Sequence, residues 1–317
     1  MRGKGSDVAR FVIRRLFWTI PVILLVILLT FGLMRQIEGN PFRKSERAIP
    51  ESIQRNLERK YGLDDPWYVQ YANYVKGVFT FDLGPSLVLR NRSVNDIVRD
   101  HFPKSIELGL YALILAVVVG VPLGVIAALK HNSAADYAAM VFSNIGFAVP
   151  NFLVATLLIY FFAVKWGDIF NVPTSGWTTW KHKILPSVAL SLGPMAYFAR
   201  LVRGTMLETL QQDYVRTAKA KGLRWRRVVG LHVLRNSLIP VVTAAGPLLG
   251  FIITGSFIIE NIFAIPGIGR YYVTAVQARD YSVVMGLTVL LSILVILANL
   301  AVDILYGFLD PRTRDAR

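Results

Sequence analysis

At 317 residues the chain has room for two soluble domains, but 54% apolar residues, 17% charged residues and a mean hydropathy of +0.48 exclude that class. The net charge of +15 would suggest nucleic acid in a soluble protein. Here Lys and Arg gather beside apolar runs, as they do on the cytoplasmic side of membrane spans, and nucleic acid is set aside as a partner. The absence of cysteine excludes disulfides and Cys-type metal sites, and His101, His131, His182 and His232 show no ligand spacing.

Several charge-free runs reach the about 20 residues that a helix needs to cross a bilayer. Residues 1–15 form a basic arm carrying Arg2, Lys4, Arg10, Arg14 and Arg15. The run 16–34 is longer than the apolar part of a signal peptide and ends without a small-residue cleavage site, so it reads as an uncleaved first span. Residues 35–104 carry twelve Lys/Arg against nine Asp/Glu, with aromatics from Tyr61 to Phe81. That aromatic content predicts a small folded extracytoplasmic domain rather than a disordered loop. Glu51 to Tyr61 has helical character, Tyr61 to Pro66 reads as a stop and turn, and Phe81 to Ser86 as another turn.

The segment 105–308 reads as a five-helix core. The second span, 108–129, carries Gly120, Pro122 and Gly124 as kink or close-packing positions. A tight turn at Lys130-His131-Asn132-Ser133 leads to a third span, 137–164, with a bend expected at Pro150-Asn151. Trp166, Trp177 and Trp180 mark an interfacial loop before the fourth span, 184–202. From Arg200 to Arg235 nine Lys/Arg face only Glu208 and Asp213, which places the loop 203–235 in the cytoplasm. The fifth span, 236–259, contains Pro240 and Pro247. Glu260 to Asp280 returns outside, the sixth span covers 281–305, and 309–317 is a basic cytoplasmic tail. The fold class is an all-α polytopic membrane protein of six transmembrane helices, both termini cytoplasmic.

Within the loop, Asp213 is a candidate N-cap and Gly222 a candidate C′ residue able to take φ > 0. The two-turn helix between them is too short to be stable alone, and Ala218 and Ala220 would let a second surface approach. Leu223, Trp225, Val228, Val229, Leu231 and Leu234 then alternate with Arg224, Arg226, Arg227 and Arg235. On physical grounds alone such a stretch is a basic helix lying on anionic lipid.

The run Asp213-Tyr214-Val215-Arg216-Thr217-Ala218-Lys219-Ala220-Lys221-Gly222-Leu223, followed by His232 to Pro240, resembles the coupling loop of ATP-binding-cassette importer permeases. The general Glu-Ala-Ala positions hold Arg216, Thr217 and Ala218, and this variant is similar to the B-type subunit of dipeptide, oligopeptide and nickel importers. Gly120 to Gly124, Glu260 to Arg270, Arg279-Asp280-Tyr281 and Leu309 to Arg312 resemble the same family. Gly39-Asn40-Pro41-Phe42 and Phe81-Asp82-Leu83-Gly84 depart from its pattern. The resemblance implies the type I importer transmembrane fold in a bacterial or archaeal inner (plasma) membrane. It implies that Asp213, Tyr214, Arg216, Thr217, Ala218, Lys219, Ala220, Lys221, Gly222 and Leu223 couple to an ATPase. It further implies a heterodimer with a homologous second permease, two ATP-binding-cassette ATPase subunits and an extracytoplasmic substrate-binding protein. ATP and Mg would sit on those ATPases and no cofactor on this chain. The cargo favoured is di- or oligopeptide, with nickel or another small solute open.

No Gly-x-x-x-x-Gly-Lys-Ser/Thr motif, catalytic constellation or metal-ligand cluster stands out, so no enzyme activity is expected here. Ser143, Asn144, Asn151, Thr243 and Thr254 are candidates for a wet translocation path, with hydrogen bonding between packed spans the alternative. Glu260, Asn261, Phe263, Pro266, Gly267 and Arg270 are candidates for an outer gate or binding-protein contact, or for a simple re-entrant loop. Glu107, Asp136, Glu260 and Asp303 fall near predicted span ends, where capping or anchoring suits them better than the proton or sodium coupling of a secondary transporter.

Overall fold

The computed structural model describes residues 4–36, 62, 64–89 and 91–309. The expectations for Gly39 to Phe42, Glu51 to Tyr61 and the tail beyond Leu309 lie outside those residues. Among the described residues, five helices are long and apolar enough to cross a membrane, and six if one bent pair counts as a single span. The chain divides into two compact units, residues 1–105 with 266–297 and residues 106–265 with 298–317.

In the first unit, α1 (Lys4–Gln36) carries Pro21 without ending. Its apolar run is charge-free and buries Ile27 and Phe31. The aromatic helix α2 (Trp67–Phe79) begins after Pro66, whose fixed φ suits the position before a helix. Val78 of α2 packs with Ile27 and Val289, flanked by Ile23, Tyr71, Tyr74 and Leu83. The described part of 35–104 therefore shares its core with residues of the spans. Tyr71 donates to the Leu24 carbonyl at 3.2 Å, while the buried Tyr74 hydroxyl has no partner among the described residues and burial pushes the phenol upward.

The next helix, α3 (Val94–Leu129), starts well before the predicted span. Ser93 and Asp96 form its capping box, with Asp96 N donating to Ser93 Oγ at 3.1 Å and Ser93 N to Asp96 Oδ2 at 3.0 Å. Pro122 does not break it. At the other end of the unit, α10 (Ile268–Ala278) and α11 (Tyr281–Leu309) flank buried Asp280. The Asp280 carboxylate accepts from Ser86 Oγ, Leu87 N at 3.1 Å and Val88 N at 3.3 Å, tying down a loop that follows α2.

The second unit is organised around α6 (Lys181–Leu210), which runs through Pro186 and Pro194 and extends eight residues into what the sequence assigns to the loop. Two glycines of α3 approach its backbone closely. A Cβ on Gly120 would meet Met195 O at 2.6 Å, and one on Gly124 would meet Ala199 O at 2.5 Å, so only glycine fits at this α3–α6 contact. The third predicted span is two helices, α4 (Ala134–Ala148) and α5 (Asn151–Leu158), bent by 102°. Val149 is extended, as a β-branched residue before proline prefers, and Pro150 starts the new direction. A π-helical stretch, Ile159–Lys165, continues α5. The fifth predicted span is α8 (Ile239–Gly255) followed by α9 (Phe257–Ile262).

Candidate coupling site

Between α6 and α8 lies α7 (Asp213–Ala220). Gln212, not Asp213, occupies the N-cap position and makes no side-chain cap bond. Asp213 is the first helical residue, where its charge complements the helix dipole from a fully accessible position rather than by capping. The C-terminus is a Schellman motif. Gly222 has φ +74°, Gly222 N donates to Lys219 O at 2.9 Å and Leu223 N to Ala218 O at 3.4 Å. No described residue lies within 4 Å of a Cβ built on Gly222, so the demand for glycine here is conformational.

One face of α7 belongs to the protein's own core. Val215 and Ala218 are buried with Val202 and Met206 of α6, Ala128 of α3, and Val228 and Val233. Ala218 is thus small because it is packed inside, whereas Ala220 is on the surface. The other face shows Tyr214, Arg216, Thr217, Lys219 and Lys221 to the exterior. Arg216 and Asp213 approach at 3.6 Å but are 73% and 96% exposed, a geometry worth little to stability.

The following segment holds α7 in place. After the turn Trp225–Arg227, a π-helix spans Val228–Leu234 and turns Val228 and Val233 into the core. Lys219 Nζ lies 4.7 Å from the Trp225 ring centroid, a cation–π contact across the turn. Asn236 donates to the Tyr214 hydroxyl at 2.9 Å. Arg224, Arg226 and Arg227 remain exposed, so the surface around α7 is strongly basic.

The candidate path residues do not assemble into a comparable site. The hydroxyls of Ser143, Thr243 and Thr254 donate to Ala139 O at 2.8 Å, Ile239 O at 2.9 Å and Phe251 O at 2.9 Å. Each bond closes within its own helix, the back-bonding that short hydroxyl side chains favour, and not between spans. Asn144 is exposed and Asn151 half-buried.

The outer candidates fall on both sides of the division between the units. Glu260 is fully buried and accepts from Ser256 Oγ at 2.6 Å, and Phe263 is 1% exposed, which leaves Asn261 as the exposed member of that group. In the other unit, Pro266 O pairs with His101 Nδ1 at 2.9 Å, Gly267 is buried, and Arg270 is exposed. Arg270 lines a cavity of about 320 Å³ together with Val88, Leu89, Tyr271 and Thr274.

Two polar clusters have no simple sequence signal. Glu107 accepts from Lys183, from Trp177 Nε1 at 2.9 Å and from Tyr111 at 3.1 Å. Asp136 pairs with Arg203, 67 positions away, where no local pattern could announce it.

The family model for the binding-protein-dependent transport system inner membrane component matches residues 120–315, and the model for the N-terminal part of such a component matches residues 8–109. The chain belongs to that family. Among relatives of this inner membrane component, the dipeptide transport system permease protein of Bacillus subtilis is 50% identical over 307 residues, covering 96% of this chain and 98% of its own. The oligopeptide transport system permease protein of Salmonella typhimurium is 44% identical over 309 residues, covering 96% and 99%. In fold, the inward-facing MetNI methionine ABC transporter superposes with a TM-score of 0.53 at 20% identity, over 65% of this chain and 93% of that one. An amino acid ABC transporter crystallised with histidines gives 0.51 at 15% identity, over 68% and 94%. The inner membrane component therefore has the type I importer transmembrane fold, carried by several membrane-spanning helices.

Proposed function

We propose that this chain is the transmembrane permease subunit of an ATP-driven importer of di- and oligopeptides, coupled to a separate ATPase subunit through α7. The observation that carries the proposal is the two-faced character of α7. Val215 and Ala218 fix it to the bundle while Tyr214, Arg216, Thr217, Lys219 and Lys221 face outward, and a Schellman turn at Gly222 sets its end. A two-turn helix held on one side and basic on the other is a rigid docking element for an acidic groove, not a free loop. The peptide cargo is supported by the names of the relatives that match over nearly the whole chain.

In this reading α7 and the turn 130–133 lie in the cytoplasm, as do both termini, following the basic excess around them. The complete importer contains a homologous second permease, two ATPases that bind ATP and Mg, and an extracytoplasmic binding protein. Asn261 and Arg270 are the exposed candidates for contact with the binding protein. Gly222→Trp tests the assignment. Its side chain disfavours the left-handed conformation and projects into open space where the partner would dock. Uptake of labelled peptide should be lost at unchanged membrane abundance, and wild-type uptake would refute the docking role of α7.

A further inference from the structure

Asp136 reads from sequence as a residue that caps or anchors a span end, but its carboxylate is 2% exposed and fully engaged. Oδ1 accepts from Arg203 Nε at 2.6 Å. Oδ2 accepts from Arg203 Nη2 at 2.8 Å and from Asn132 N at 3.0 Å, and lies 3.2 Å from His131 Nδ1. One guanidinium edge thus grips both oxygens of a buried carboxylate, the geometry with the best-defined orientation among ion pairs. The same carboxylate holds the turn between α3 and α4, where Asn132 is left-handed with φ +60°.

The placement of Arg203 gives this cluster its meaning. Arg203 sits on α6 seven positions before Leu210, where that helix ends and leads through Gln212 into α7. Its neighbours Val202 and Met206 are buried in the cluster that also contains Val215 and Ala218 of α7. A push on α7 is therefore delivered to the last two turns of α6 through packed side chains. α4 packs closely on α6 through small groups such as Gly146, where a built Cβ would stand 3.4 Å from Leu192 O. The ion pair adds a point of fixed orientation to that contact.

We infer that Asp136 and Arg203 form a pin that makes the α3–α4 turn move with α6 and α7 as one body during the transport cycle. Both are positioning residues, acting through helices rather than on cargo or nucleotide. Opening the pin would leave a buried carboxylate without its counter-charge, a strongly destabilised state. The pin therefore stays closed, and motion has to be taken up elsewhere. The break at Val149 and Pro150, where α4 ends and the chain turns by 102°, is the nearest place for it.

The inference rests on the coupling role proposed for α7, so Gly222→Trp is assayed in parallel in the complete importer, reconstituted with its ATPases and binding protein. Uptake and ATP hydrolysis are measured in the same vesicles for Asp136→Asn, Arg203→Gln and Arg203→Lys. Asp136→Asn and Arg203→Gln should keep hydrolysing ATP while uptake per ATP falls roughly tenfold, and Arg203→Lys, which keeps charge but loses the fork, should fall in between. An unchanged ratio in Asp136→Asn and Arg203→Gln, or uptake and hydrolysis falling in proportion, would overturn the pin. If Gly222→Trp also transports normally, the reading of α7 fails first. A second measurement leaves the pair intact. With no native cysteine, Lys130→Cys and Gln211→Cys carry spin labels, whose separation should be the same with and without trapped ATP. A shift of the distance distribution beyond its resting width would show the pin opening and would also overturn it.

Discussion

Two helices of this chain invert the rule that holds in soluble proteins. An 18-residue stretch of the span in α1 has a mean hydropathy of 2.5 and buries 11% of its residues within the chain, whereas one in α6 has a mean hydropathy of 1.3 and buries 56%. In water the more apolar helix would be the more buried one. In a bilayer lipid is as apolar as leucine, so hydropathy measures fitness for lipid, while helix contact is governed by how closely backbones approach. On α6 the buried residues include Ser187, Ala189, Ser191, Ala196 and Ala199. On α1 the exposed ones include Leu25, Leu28, Leu29 and Leu33. The comparison teaches that small residues interspersed with large ones let α6 be approached closely, whereas α1 leaves large residues exposed.

The largest expected effect breaks that arrangement at its tightest point. Gly124→Leu on α3 would drive a side chain into Ala199 O and Val202 of α6, contacts of 2.5 and 2.8 Å already at Cβ. It should destabilise the bundle by about 3 kcal/mol or more, seen as lost membrane accumulation and a lower midpoint in a heat-aggregation assay in detergent. Wild-type accumulation would mean that α3 and α6 are not in contact as described. A smaller effect comes from α6 itself. Ser191 is fully buried and its hydroxyl donates to Val188 O at 2.9 Å. Ser191→Leu should raise the local hydropathy yet lower stability by about 1–3 kcal/mol through overpacking. A raised midpoint would show that hydropathy, not packing, limits this helix. The smallest effect is on α1, where no described residue lies within 4 Å of a Cβ on Gly32. Gly32→Leu should change the midpoint by no more than about 0.5 kcal/mol in stability terms. A loss comparable to that of Gly124→Leu would mean that an assembly partner covers this face.

The sequence made a chain of several apolar spans and the close-packing role of Gly120 and Gly124 legible, because bilayer length and small-residue spacing are local properties. It also made Gly222 legible as a helix terminator, since the αL position and its hydrogen bonds involve residues only a few positions apart. The candidate path was less legible. A serine or threonine in a span can bond its own helix or its neighbour's, and only the fold decides; Ser143, Thr243 and Thr254 bond their own. The Asp280 cradle pairs residues 194 apart and the pin pairs residues 67 apart, separations at which composition carries no signal. The core shared by α1, α2 and α11 was hidden for the same reason. The aromatics of α2 announce a folded segment without naming its partner, and only Tyr71 and Tyr74 pack against that core while Trp67, Tyr68 and Phe79 are exposed.

The π-helical stretches Ile159–Lys165 and Val228–Leu234 give the chain a tolerance that its other helices lack. A π turn closes its hydrogen bonds over one more residue than an α turn, so it holds surplus chain. Deleting one residue there lets the wide turn relax to an ordinary one, and the helix beyond keeps its facing. The same deletion in α6 would rotate every later residue by about 100° and carry Arg203 away from Asp136. Seen as a length of string, the chain keeps its slack on either side of α6 and none within it.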